Sequence, residues 1–239
     1  MNKLKKIKFD SSLMHKNHYP FFERVFYRPI AGLITPILAR WGIRPILINV
    51  FSFVLGLLGI CLITIGDYKI RVSGTLILIA SYIFDCVDGQ LARGLRKTNK
   101  FGALIDTTLD SIKESLIFLG LAFQNQFVSS ENSLALYLAI IIILGQRMLG
   151  RTIPWYRLIY NKGVEEIKTE ILKGKSGLFR LVSIFFSESY RSGTIWMVIF
   201  LGIVTNQIIL IFSYFIVVIY SLWLVLLISG FQRGQKYID

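Results

Sequence analysis

Four aspartates are the residues of this chain best placed to do chemistry. Asp85 and Asp88 lie three positions apart, and Asp106 and Asp110 lie four apart. On helices, each spacing puts both carboxylates of a pair on one face. Residues 94–100 (GLRKTNK) form a short, polar, basic connection between the pairs. The two helices should therefore be antiparallel neighbours with both acidic pairs near the same end. Four convergent carboxylates carry a formal charge of about −4, which two divalent cations would neutralise. Hard oxygen donors favour Mg²⁺, Mn²⁺ or Ca²⁺ over zinc. Two such ions about 3.5–4 Å apart clamp the nucleophile and the leaving oxygen of a phosphoryl-type transfer.

Small residues accompany the acids. Gly89 follows Asp88, Ala92 lies one turn further on, and Gly102 precedes Asp106 by one turn. They either leave room for a bulky ligand or let helices approach closely. Arg93 can reach a phosphate from the rim of such a site, or it can anchor the helix end at a headgroup layer.

The elements that must position these groups are membrane helices. Of the 239 residues, 54% are hydrophobic. A soluble domain of this size could not bury that much apolar surface, whereas a bilayer can hold it. Apolar runs near 45–66, 72–93, 101–123, 132–153, 190–205 and 207–230 read as six spans. The last two share an uncharged stretch from Ser192 to Gln232, about twice the length of one crossing, so the chain should fold back near Thr205-Asn206-Gln207. Spans two and three together hold Asp85, Asp88, Asp106, Asp110 and Glu114. Left unpaired in a bilayer, five charges would cost on the order of 10 kcal/mol or more.

The formal charge of +13 would suggest nucleic acid on a soluble protein. Here the basic residues fall between apolar runs, which points to anionic lipid headgroups and away from nucleic acid. With both termini cytoplasmic, 24 of the 27 Lys and Arg residues fall on the cytoplasmic side. Only Lys69 and Arg71 fall outside, and Lys113 lies within a span. That asymmetry follows the positive-inside rule, supports six spans and puts the acids toward the cytoplasmic face.

Ahead of the spans, Phe22, Phe26, Ile30, Leu33, Ile37 and Trp41 recur every three to four positions, with Glu23, Arg24, Arg28 and Arg40 on other faces. This pattern predicts an amphipathic interfacial helix over 20–41, broken near Pro29 or Pro36. The expected fold is thus all-α and integral to the membrane, six transmembrane helices preceded by an amphipathic helix. Three regions follow: residues 1–44 as tail and interfacial helix, 45–232 as the six-helix catalytic domain, and 233–239 as a C-terminal tail. His15 and His18 read as part of a solvated basic tail, since no further ligands lie nearby. Residues 155–189 read as an amphipathic cytoplasmic stretch. Cys61 and Cys86 sit within apolar runs as buried thiols.

Written out, Asp85-Cys-Val-Asp88-Gly89-Gln-Leu-Ala92-Arg93, eight residues, Gly102-Ala-Leu-Ile-Asp106-Thr-Thr-Leu-Asp110 matches in full the signature D-x-x-D-G-x-x-A-R-x(8)-G-x-x-x-D-x-x-x-D. The chain therefore resembles the CDP-alcohol phosphotransferase family. At roughly 5–8% per position, eight fixed positions match by chance in fewer than about one chain in a million.

The resemblance implies a reaction and roles. Asp85, Asp88 and Asp106 would be metal ligands for two ions, Mg²⁺ or Mn²⁺. Asp110 would be the catalytic base, also close to the metals. The cytidine diphosphate would lie against Asp85, Asp88, Gly89, Ala92 and Gly102, with Arg93 near the pyrophosphate. The expected enzyme moves a substituted phosphate from a CDP-alcohol, foremost CDP-diacylglycerol, to an alcohol or alcohol phosphate, and releases CMP in phospholipid synthesis. A soluble CDP-alcohol donor with a lipid acceptor is the alternative. The resemblance also implies a homodimer. Two departures bear on the acceptor: Arg44-Pro45-Ile46 stands where many relatives have Thr-Pro-Asn, and Ser111 follows the last Asp where many have Arg or Lys. The phrases FYRPIAGLITPIL and FGALIDTTLD are similar to relatives that use inositol phosphate. Such an acceptor needs a basic pocket, for which Arg147, Arg151 and Arg191 are candidates. A cation-coupled transporter is the rival from another class, but it would set its ionisable groups at mid-membrane rather than toward one face.

Overall fold

The computed structural model describes residues 9–14, 19–128, 134–160 and 192–234. His15, His18, Arg191 and residues 161–190 lie outside them. A helix forms at each place where an apolar run predicts one: α2 (Pro45–Ile65), α3 (Tyr68–Gly94), α4 (Lys100–Val128), α5 (Leu134–Tyr160), α6 (Ser192–Val204) and α7 (Ile208–Gly234), after α1 (Arg28–Arg40). No strand occurs among the described residues.

Three helices are long and apolar enough to cross a bilayer: Pro45–Ile65, Tyr68–Gly94 and Ile208–Ile228. Their outward faces are apolar, with Leu47, Val50, Phe51, Val54 and Leu58 of α2 exposed. Ser52 and Ser81 turn inward and exchange hydroxyl-to-carbonyl bonds of 2.9 and 2.8 Å between α2 and α3. Apolar outside and polar inside is the pattern of an integral membrane protein. α4 is long, but Asp106, Asp110, Lys113 and Glu114 crowd its first half. Leu134–Gly150 and Gly193–Val204 are apolar but shorter.

Local chemistry sets the boundaries. Pro45 opens α2 at its first turn, where the missing N–H costs nothing. The Asp67 carboxylate caps α3 by accepting from the Ile70 amide at 3.0 Å. Asn99 caps α4 by accepting from the Gly102 amide at 2.6 Å. The turn between α6 and α7 falls at Thr205-Asn206-Gln207 as expected, with Asn206 left-handed at φ 58°.

Two expectations change. The N-terminal helix does not break at either proline. A π-helical turn, Glu23–Tyr27, absorbs Pro29 just ahead of it, and α1 runs through Pro36. One lost backbone bond is tolerated because the π-helical turn and α1 both pack along α3, with Tyr27, Ala31 and Leu38 buried. Nor do α3 and α4 pack closely side by side. Instead α2 lies against both of them. Against α3 its backbone nearly touches: a Cβ on Gly59 would sit 2.8 Å from the Gly74 carbonyl, and the converse distance is also 2.8 Å. The short 95–99 link fixes where α3 ends and α4 begins, but not which helix fills the angle between them. The acids occupy that angle.

Candidate active site

α3 brings Asp85 and Asp88 to its last two and a half turns, and α4 brings Asp106 and Asp110 to its first three. Carboxylate oxygens of Asp85, Asp88 and Asp106 all lie within 4.8 Å of one another. Both helices contribute, and three of the four predicted carboxylates meet. Asp110 is turned aside. Its Oδ1 accepts from Lys113 Nζ at 2.9 Å, and the same ammonium lies 3.4 Å from Asp85 Oδ1.

One residue that binds the cluster together has no motif to announce it. Asn49, on the second turn of α2, donates from Nδ2 to Asp88 Oδ2 at 2.6 Å and to Asp106 Oδ1 at 2.8 Å. One amide nitrogen has two hydrogens, and each serves a carboxylate from a different helix. Asn49 Oδ1 is buried and has no hydrogen-bond partner. Asn49 is the only amide side chain in α2, and in a membrane span an amide is itself a signal. Lys113, 2% exposed, is the second such residue. A lysine inside a span demands a carboxylate partner.

The donor set suits a hard divalent cation. Three carboxylates from two helices offer oxygens at mutual distances that one small ion can bridge, the apolar surroundings are those of a membrane protein, and no thiol or imidazole lies among them.

The glycines now separate by role. A Cβ on Gly89 would meet only the Arg93 guanidinium, at 3.4 Å from Nη1, and one on Gly102 would meet only the Asn99 side chain, at 3.1 Å. Neither faces a neighbouring helix, in contrast to Gly59 and Gly74. They leave open surface beside the acids, and Ala92 is likewise only half-buried. Arg93 reaches the Tyr19 hydroxyl at 3.5 Å. Glu114, one turn after Asp110, is half-buried.

An inner network supports the α3 side. Arg28 does not face outward as its helical position suggests. It pairs with Glu23 through Nε at 3.2 Å and Nη2 at 3.1 Å, and donates from Nη1 to the Cys86 carbonyl at 3.4 Å. Tyr82 donates to the other Glu23 oxygen at 2.9 Å. These bonds tie the N-terminal helix to the turn of α3 that carries Asp85 and Asp88. Cys86 is a buried free thiol, as expected, whereas Cys61 is exposed on α2; an apolar span can face lipid as readily as protein. Of the arginines named for an acceptor, Arg147 donates to the Ser115 hydroxyl at 2.9 Å and the Ser111 carbonyl at 3.4 Å. From α5 it thus reaches α4 next to Asp110's turn. The Arg151 side chain and all of Arg191 lie outside the described residues.

The family model for CDP-alcohol phosphatidyltransferase matches residues 43–227. A bifunctional IPC transferase and DIPP synthase of Rubrobacter xylanophilus is 38% identical over 80 residues, 34% of this chain and 18% of that protein. A phosphatidylinositol phosphate synthase of Mycobacterium tuberculosis is 26% identical over 127 residues, 53% of this chain and 58% of that protein. The aligned stretch is thus less than two thirds of either relative. The crystal structure of Mycobacterium tuberculosis phosphatidylinositol phosphate synthase with CDP-DAG bound superposes with a TM-score of 0.54. It covers 88% of this chain and 92% of that one at 18% identity, and so shares the fold.

Proposed function

This chain belongs to the CDP-alcohol phosphatidyltransferase family, and from that premise we propose that it transfers the phosphatidyl group of CDP-diacylglycerol to a hydroxyl of inositol phosphate, releasing CMP. The observation that carries the reaction is the meeting of Asp85, Asp88 and Asp106 oxygens within 4.8 Å, with Asp110 on the next turn of α4. The donor is chosen because the superposable synthase holds CDP-DAG. The acceptor is chosen because curated relatives are phosphatidylinositol phosphate synthases.

Each residue has a task in this reading. Asp85, Asp88, Asp106 and Asp110 would hold two divalent ions, Mg²⁺ or Mn²⁺. When bound, these supply positive charge for the diphosphate and for the departing CMP. Gly89, Ala92 and Gly102 leave the surface over which the cytidine diphosphate lies, and Arg93 faces its phosphates. Asp110 accepts the proton of the acceptor hydroxyl. That oxygen then bonds to the phosphorus bearing the diacylglycerol, and the bond from that phosphorus to the CMP oxygen breaks. Arg147, Arg151 and Arg191 offer positive charge to the acceptor's phosphate.

The same reading sets the surroundings. α2 to α7 form six spans over residues 45–232. The N-terminal helix within 1–44 lies in the interface with Phe26, Leu33, Ile37 and Trp41 toward lipid. Both termini, 233–239 included, and the site face the cytoplasm, and two copies form a homodimer. The test is CMP release by purified protein in detergent, given CDP-diacylglycerol and a panel of alcohols and alcohol phosphates. Release with inositol phosphate supports the proposal. Release only with other acceptors replaces the acceptor, and no release with any would refute the reaction.

A further inference from the structure

Lys113 occupies a pocket made for it. Its ammonium lies 2.9 Å from Asp110 Oδ1 and 3.4 Å from Asp85 Oδ1, and the side chain is 2% exposed. The stem crosses Gly56 of α2, where an added Cβ would sit 2.9 Å from Lys113 Cδ and 2.9 Å from Ser81 Oγ. Glycine beneath the stem and carboxylates at the tip leave this side chain one place to go. A buried ammonium is costly unless paired, and here two carboxylates pair it.

The pairing divides the acidic cluster unequally. Asp85, Asp88 and Asp106 share one hollow. Asp110 has its Oδ1 committed to Lys113, and so in part does Asp85. We infer that Lys113 is a tethered counter-cation on the Asp85–Asp110 edge. The Asp85–Asp88–Asp106 face then takes one divalent ion tightly. A second ion reaching Asp110 binds more weakly, because it must displace the ammonium from oxygens it would share. Lys113 is thus a positioning residue that sets the order in which the site fills. The inference rests on the reading of these acids as metal ligands.

Titration of full-length protein in detergent with Mn²⁺, without nucleotide, tests it. Bound and free ion are followed by electron paramagnetic resonance. The wild type should bind one ion tightly, with the second weaker by about tenfold or more, the scale of one nearby opposing charge. Lys113→Met should tighten the second site by about tenfold and add the spin–spin broadening of two neighbouring ions. Lys113→Arg, which keeps the charge, should retain the wild-type pattern. Two equally tight sites in the wild type would overturn the inference even if Lys113→Met does not fold, and so would identical titrations of wild type and Lys113→Met. No Mn²⁺ bound by the wild type would overturn the metal reading itself, a separate and recognisable failure.

Discussion

Replacing Asn49 with leucine keeps the size of the side chain and removes both donors. In the native site one amide holds Asp88 and Asp106 side by side at 2.6 and 2.8 Å. Hydrogen bonds to charged groups contribute about 1.5–3 kcal/mol each. Water and bound metal would recover part of that, because Asp106 is only half-buried. A net loss near the value of one such bond remains, about 1.5–3 kcal/mol. If that loss falls on the geometry in which α3 and α4 present their oxygens, turnover drops roughly 10- to 100-fold, at about 1.36 kcal/mol per factor of ten. Mn²⁺ affinity should fall in step, because the same two carboxylates would have to be brought together by the ion itself. The assay is CMP release at saturating CDP-diacylglycerol, paired with Mn²⁺ titration of the same preparation. Wild-type turnover with wild-type metal affinity in Asn49→Leu would show that the amide is only a packing contact.

Other outcomes follow from the same geometry. Asp110→Asn should abolish CMP release while CDP and Mn²⁺ still bind, measured by calorimetry; unchanged turnover would remove Asp110 from the role of base. Chelation with EDTA should stop turnover, and Mg²⁺ or Mn²⁺ should restore it while Zn²⁺ does not, since the donors are all carboxylate oxygens. Gly59→Leu must force α2 off α3, because even a Cβ would sit 2.8 Å from the Gly74 carbonyl. It should destabilise the protein by about 1–3 kcal/mol in a thermal melt. Gly32→Ala, where a Cβ meets nothing within 4 Å, should leave stability unchanged or raise it by about 0.4–1 kcal/mol.

The sequence reveals features whose cause is local and hides those that depend on a third element. Asp85 with Asp88, and Asp106 with Asp110, share faces because helical periodicity requires it, so each pair could be read directly, whereas the turning of Asp110 toward Lys113 could not. The turn at Asn206 was legible because the 41 uncharged residues from Ser192 to Gln232 exceed one bilayer crossing. Asn49 lies 36 positions before Asp85, and no periodicity links α2 to a site on α3 and α4. Its place follows from the contact of Gly59 with Gly74, which draws α2 into the angle between those helices. Arg28 and Glu23 depart from the helical pattern for a related reason. Helical position put them on a polar face, but α3 presents the Cys86 carbonyl and the Tyr82 hydroxyl there, so the pair turns inward. Lys113 was visible as a charge inside a span. Its partners depend on Gly56 of another helix, which gives its stem a path.

The claim on which all the chemistry rests is that Asp85, Asp88 and Asp106 hold a divalent ion against the diphosphate of a CDP-alcohol. Crystals grown with Mn²⁺ and CDP, with data collected at the manganese absorption edge, decide it. An anomalous peak bounded by oxygens of these three side chains, and touching a CDP phosphate, is the expected result. A nucleotide bound elsewhere, or a peak lacking these carboxylates, would contradict it.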